Sequence, residues 1–231
     1  MVTQKKYFFL NRFWRKESGL SGMFLLLIIM HFVLIPLFGS FSFFMVMLNV
    51  FWMLFLMAGI FSLATTYRQA ILISIVPTLF IIFGWISVFY ATPFILFAQI
   101  LLTVITFLLL IVLVLIKVFE PGRMSGYRIV GSIIVYMLLA NLWVVVYLFI
   151  YEHLQGAFQL TLPSFESNSW YANFMSFSYI TITTTGFGEI VPLHPIARSL
   201  VQLEAIIGVL YPVILIGRLV SDINTDFPKI K

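Results

Sequence analysis

The residues best able to do chemistry stand in one run, Thr183-Thr184-Thr185-Gly186-Phe187-Gly188-Glu189. A cation stripped of its water needs replacement oxygens. Successive carbonyls of an extended strand supply them only where alternate residues accept unusual dihedrals. Gly186 and Gly188 supply that tolerance, because a residue without Cβ takes positive φ at little cost. Four such strands around an axis would stack rings of four oxygens, with two adjacent rings forming one eight-oxygen site. One chain holds a single copy, so this chemistry demands a closed cyclic tetramer. The rings would come from the carbonyls of Thr184, Thr185, Gly186 and Phe187, with the Thr184 hydroxyl adding a ring beneath them. A Gly-x-Gly alone in a loop is usually a turn; its weight comes from what surrounds it.

The surroundings are those of a membrane protein. The 231 residues are 62% hydrophobic and 9% charged, far from the composition of soluble domains. A bilayer core needs about 20 apolar residues per helical span. Polar and turn residues divide the chain into helices near 20–38, 42–64, 70–90, 94–117, 128–151 and 196–220. Between the last two lies a stretch too long for a turn and too polar for a span. Residues 152–168 read as loop, with Gly156, Pro163, Ser164, Ser167 and Asn168, and a Ser or Asn before Trp170 is placed to cap a short helix over 170–181. That helix reaches only about halfway across a bilayer before the Thr-Gly run turns back. Non-helical backbone at membrane depth is tolerated only where it lines a protein-buried or water-filled cavity, and a pore is such a cavity.

Charge sets the expected orientation. All of the thirteen Lys and Arg except Arg198 fall on one side when the amino terminus, with Lys5, Lys6, Arg12, Arg15 and Lys16, is placed in the cytoplasm; this is the positive-inside pattern. It accounts for the net charge of +5 without nucleic acid. The chain is expected in the cell (inner) membrane, multi-pass, with both termini cytoplasmic. Glu152, Glu166 and Glu189 then collect outside, where carboxylates raise the local cation concentration. The first helix reads as retained, since no small-residue cleavage site follows it. No cysteine is present, which excludes a disulfide framework, a thiolate metal site and a cysteine nucleophile. The best internal boundary is Glu120-Pro121-Gly122-Arg123. It divides residues 1–124, a four-helix block, from residues 125–231.

Around the Thr-Gly run the sequence resembles the potassium-channel pore family, whose signature Thr-x-Gly-Tyr-Gly-Asp follows a short pore helix and stands here as Thr184 to Glu189. A proline follows at Pro192, an arginine at Arg198 and a glycine at Gly208, where such channels often carry an inner-helix hinge. The resemblance covers roughly 128–220, and residues 198–220 look like the inner helix of small bacterial channel-family proteins. It implies an all-α transmembrane fold of six membrane-spanning helices plus one re-entrant pore helix and a selectivity-filter loop, assembled as a homotetramer. Residues 125–231 would be the pore domain, with outer helix 128–151, pore helix 170–181, filter 184–188 and inner helix 196–220. It further implies passive potassium conduction, with potassium ions held at Thr184, Thr185, Gly186 and Phe187, the filter closed by Gly188, and no other cofactor. Three residues depart from the pattern. Phe187 replaces tyrosine and lacks the hydroxyl that would hold a pore-helix partner, and the tryptophans usual in relatives are replaced by Ser176 and Phe177. Thr185 stands for valine or isoleucine, and Glu189 for aspartate at the outer mouth. A nonselective cation channel and a non-conducting subunit retaining the pore fold therefore stay open as alternatives.

Other residues have both a bland and a sharp reading. Gly208 serves either as hinge or as a site of close helix packing, and Pro212 is expected to kink the helix by removing one hydrogen bond. Glu204, about two turns into a spanning helix, is a functional suspect by position; Arg198 lies six residues away on another face, and both are assigned to support of the filter. His31, Asn49, Gln99 and Asn141 are expected to make interhelical hydrogen bonds. An intramembrane enzyme is disfavoured, because the only acidic, basic or histidine side chains between residues 20 and 116 are His31 and Arg68. The fourth helix, without basic residues in its span, is no conventional voltage sensor.

Overall fold

In a bilayer every backbone N–H and C=O must be paired internally, and long apolar runs achieve this as helices. A computed structural model describes residues 19–39, 41, 43–63, 67–90, 92–119, 126–161 and 170–225. The basic run at 5–16, the Glu120 to Arg123 turn, Pro163, Ser164, Glu166, the capping Ser167 or Asn168, and Lys229 and Lys231 lie outside those residues. The helices are α1 (Gly19–Phe38), α2 (Phe44–Leu63), α3 (Tyr67–Phe89), α4 (Pro93–Val118), α5 (Gly126–His153), α6 (Trp170–Ile182) and α7 (Pro195–Thr225). Five of them, all but α2 and α6, are long and apolar enough to cross a membrane. Helix α2 is apolar along its 20 residues. The chain is thus a mostly helical, multi-pass membrane protein.

Local chemistry explains the boundaries. Thr92 caps α4 by accepting from the Ile95 N–H, and Pro93 occupies the first helical position. Helix α1 contains a π-helical turn at Met30–Leu34, directly before Pro36. A proline has no N–H for the carbonyl four residues earlier, and a widened turn accommodates the gap. Sequence periodicity predicts one plain helix here and misses the π turn.

The loop-like reading of residues 152–168 needs a correction. Phe158–Leu160 forms strand β1, paired antiparallel with β2 (Ile190–Pro192), in the register Phe158↔Pro192, Gln159↔Val191, Leu160↔Ile190. Three residues are too few for a recognisable alternation. Phe158 is what fixes them: it is buried with its ring 5.2 Å from Phe174 and 5.9 Å from Phe177. The all-α expectation holds for the spans and fails for this small two-stranded sheet.

Helix α4 packs along α5 and against α3, while α1 packs on both α2 and α5. Small residues permit close approach: a Cβ at Gly131 would lie 2.8 Å from Val118 Cγ2, and one at Gly59 would lie 3.3 Å from Met23 Cε. At the α4–α5 corner the Arg128 Nε–H donates to Val118 O at 2.6 Å, and the Arg218 guanidinium stands 5.8 Å from the Phe119 ring. Helix α6 sits between α5 and α7. It presents Tyr171, Phe174, Met175 and Phe177 to the core.

Candidate functional site

Helix α6 has 13 residues, so at about 1.5 Å per residue it is too short to span a bilayer. Its last turn binds the chain that leaves it. The Thr185 and Gly186 N–H groups both donate to Ile180 O, at 2.8 and 3.1 Å, and the Thr184 N–H donates to Thr181 O at 2.9 Å. The Thr183 hydroxyl donates to Tyr179 O at 2.7 Å, which leaves its oxygen to accept from the Thr185 hydroxyl at 2.9 Å. At the far end the Thr161 N–H donates to Glu189 O, and its hydroxyl lies 3.1 Å from Gly188 O and 2.9 Å from Glu189 O. Arg198 Nε–H donates to Pro192 O at 3.1 Å, steadying β2.

Between these anchors the backbone alternates. Thr184, Gly186 and Gly188 have φ of 57°, 61° and 79°, whereas Thr185 and Phe187 are not left-handed. Backbone of alternating hand brings successive N–H groups to one side, and here those of Thr184, Thr185 and Gly186 turn back to the end of α6. Among the described residues nothing donates to the carbonyl oxygens of Thr184, Thr185, Gly186 or Phe187, nor to the Thr184 hydroxyl. All five residues from Thr184 to Gly188 are exposed on the single chain. The two glycines were legible in the sequence. The third left-handed position was not, because it is filled by a β-branched threonine for which positive φ is unfavourable.

Behind this segment lies a polar cluster. Glu204 is 0% exposed. Its carboxylate accepts from the Tyr147 hydroxyl of α5 and faces the Ser178 hydroxyl of α6, which also lies 2.9 Å from Ala140 O. One carboxylate thereby ties α7 to α5 and α6. Arg198 and Glu204 are not brought together, as their spacing implied. The Tyr136 hydroxyl donates to Ile182 O at 2.8 Å, and Gly208 sits against that same carbonyl, where a Cβ would come within 1.9 Å of the oxygen. Close packing is thus a sufficient reason for glycine at 208. Helix α7 is continuous through Gly208 and Pro212.

Phe187 is not packed behind its own strand; its side chain is 68% exposed. A cavity of about 350 Å³ opens beside the strand, lined by Thr181, Thr184, Gly186, Gly188, Val201 and Ala205 among others. Glu189 is half-buried at the end of the run. Of the four residues expected to bond between helices, His31 and Asn141 bond each other and Asn49 Nδ2 lies 3.4 Å from Gly84 O. Gln99 Oε1 is buried with no partner among the described residues. Sequence reasoning missed Thr161, Tyr136, Tyr147 and Ser178, single hydroxyls in loops or apolar helices that no motif marks.

Residues 129–224, from α5 through α7, match a family model described as ion channel, a family that includes potassium-channel pore domains. No curated protein and no solved structure gives a match to the chain.

Proposed function

We propose that this chain, whose residues 129–224 match an ion-channel family, is one subunit of a homotetrameric, potassium-selective channel that conducts passively, without chemical turnover. Helix α6 is its pore helix, α5 and α7 its outer and inner helices, and Thr184 to Gly188 its filter. One observation carries the reading. Thr184, Gly186 and Gly188 are left-handed at every second position, and the carbonyls of Thr184, Thr185, Gly186 and Phe187 have no donor among the described residues. Unpaired backbone acceptors at membrane depth cost several kcal/mol each unless a ligand fills them. Dehydrated cations between four copies are that ligand.

The same reading gives the exposed groups a purpose. A neighbour's Phe187 can seat in the cavity beside the strand, and the apolar α7 face with Leu203, Ile206, Leu210 and Val213 can meet its copies around the axis. Glu189 lies at the outer mouth; Glu204 and Arg198 hold the filter from behind. The decisive experiment reconstitutes the full chain in liposomes and imposes potassium, sodium and lithium gradients separately. Potassium flux well above sodium flux is expected. Equal fluxes would make it a nonselective cation channel, and no flux from assembled protein would make it a non-conducting subunit.

A further inference from the structure

Helices α1 to α4 hold no row of charges, yet α1 reaches the short helix with a polar side chain. His31 is buried at the π turn of α1. Its Nδ1 lies 2.6 Å from Leu27 O. A carbonyl can only accept, so Nδ1 carries the proton and Nε2 is left as an acceptor. Asn141 on α5 fills it: its Nδ2 lies 3.0 Å from His31 Nε2, and the second amide hydrogen goes to Met137 O at 2.7 Å. Asn141 Oδ1 accepts from the Tyr171 hydroxyl of α6 at 3.1 Å. The donors run one way, Tyr171 to Asn141 to His31 to Leu27, and each is used. The His31 ring also stands edge-on to the Tyr179 ring, at 5.1 Å and 78°.

Tyr171 and Tyr179 lie eight residues apart, within one stripe of α6. The residues next to Tyr179 are those that clasp the carbonyl-bearing segment: Tyr179 O takes the Thr183 hydroxyl, and Ile180 O takes the Thr185 and Gly186 N–H groups. Apolar packing alone would let α6 rotate or slide by small steps. A directed chain of hydrogen bonds, anchored in α1 at one end and α6 at the other, fixes a single setting.

We propose that His31 is a positioning residue for ion selectivity: through Asn141 and Tyr171, α1 sets the rotation and depth of α6 and so the spacing of the carbonyl rings. This rests on the reading of Thr184 to Gly188 as the filter. It gives the four-helix block a task other than sensing voltage, that of an external brace for the pore helix. The π turn suits the task, since such turns displace a side chain from its ordinary helical direction and recur at functional sites.

The test measures the potassium-to-sodium permeability ratio of the full chain in liposomes, with tetramer content followed in parallel. His31→Phe keeps a ring against Tyr179 and removes both nitrogens. Tyr171→Phe removes one oxygen from the other end of the chain and is the milder variant, so it decides the matter if His31→Phe does not assemble. Each is expected to lower the ratio about fivefold, the factor one buried hydrogen bond represents, with potassium flux and assembly retained. The double variant should be no worse than the worse single one, because both interrupt one chain. His31→Gln, whose carbonyl oxygen can accept from Asn141, should restore the ratio to within about twofold. An unchanged ratio in assembled, conducting Tyr171→Phe and His31→Phe overturns the proposal, as do losses that simply add in the double variant. Wild-type liposomes that pass no potassium, or pass sodium equally, overturn the filter assignment itself and the brace with it.

Discussion

At the scale of single residues, the left-handed positions carry the sharpest expectations. Gly186 has φ of 61° and no heavy atom within 4 Å of where a Cβ would stand. The obstacle to a side chain there is therefore conformational and not steric crowding within the chain. Gly186→Ala is expected to abolish potassium flux while leaving the tetramer on a native gel, since alanine resists the dihedral that turns its carbonyl to the axis. Selective flux from that variant would remove the assignment. Thr184 is a different case, because a β-branched residue is held left-handed at φ 57°. Such strain persists where the surroundings over-determine it, and here the Thr184 N–H is bound to Thr181 O. Thr184→Val keeps the branching and removes only the hydroxyl. It should weaken barium block by roughly tenfold, as expected for a lost ligand ring worth on the order of 1–2 kcal/mol, with unchanged thermal stability. Block as tight as in wild type would show that Thr184 contributes its carbonyl alone.

At the scale of elements, the end of α6 is clamped from two sides, by the Tyr136 hydroxyl and by the bare Cα of Gly208, both on Ile182 O. Gly208→Ala pushes a methyl into a backbone oxygen that has nowhere to retreat. Overpacking of this kind costs about 1–3 kcal/mol, and the variant should lose thermal stability by that amount and conduct with altered selectivity. A hinge, by contrast, would tolerate alanine in the closed state and change only the open probability in single-channel records. How legible this was in the sequence follows from the same physics. Helix boundaries came within about three residues at most ends, because apolar runs and flanking turn residues report what the bilayer requires. The strands β1 and β2 were invisible, since each depends on a partner distant in sequence. Gly186 and Gly188 were readable from residue type alone. Glu204 was readable as a suspect but not in its partners: Tyr147 and Ser178 lie 57 and 26 residues away, and no local pattern links them.

At the scale of the whole molecule, the described helices α1 to α4 lack the row of basic residues that a voltage sensor requires. Opening a channel by voltage takes several basic residues moving through the field, each worth about 2.3 kcal/mol per 100 mV. Helix α4 has Lys117 in its last turn and no other basic residue. Helices α2 and α3 contain no acidic residue that would hand such charges along. Its packing also argues for a fixed part: α4 lies along α5 of the same chain, Gly131 allows Val118 into close contact, and Arg128 holds the Val118 carbonyl. A helix bound in this way to α5 would have to drag it to move. With no row of basic residues among the described helices α1 to α4, the proposed function leaves the permeating ion as the main charge for the field to act on, a coupling on the order of one elementary charge or less. Planar-bilayer recordings between strongly negative and positive potentials should therefore give an open probability that varies weakly with voltage, with an apparent valence near or below one. A steep, saturating rise in open probability worth several charges would defeat the expectation that this chain works without a voltage sensor.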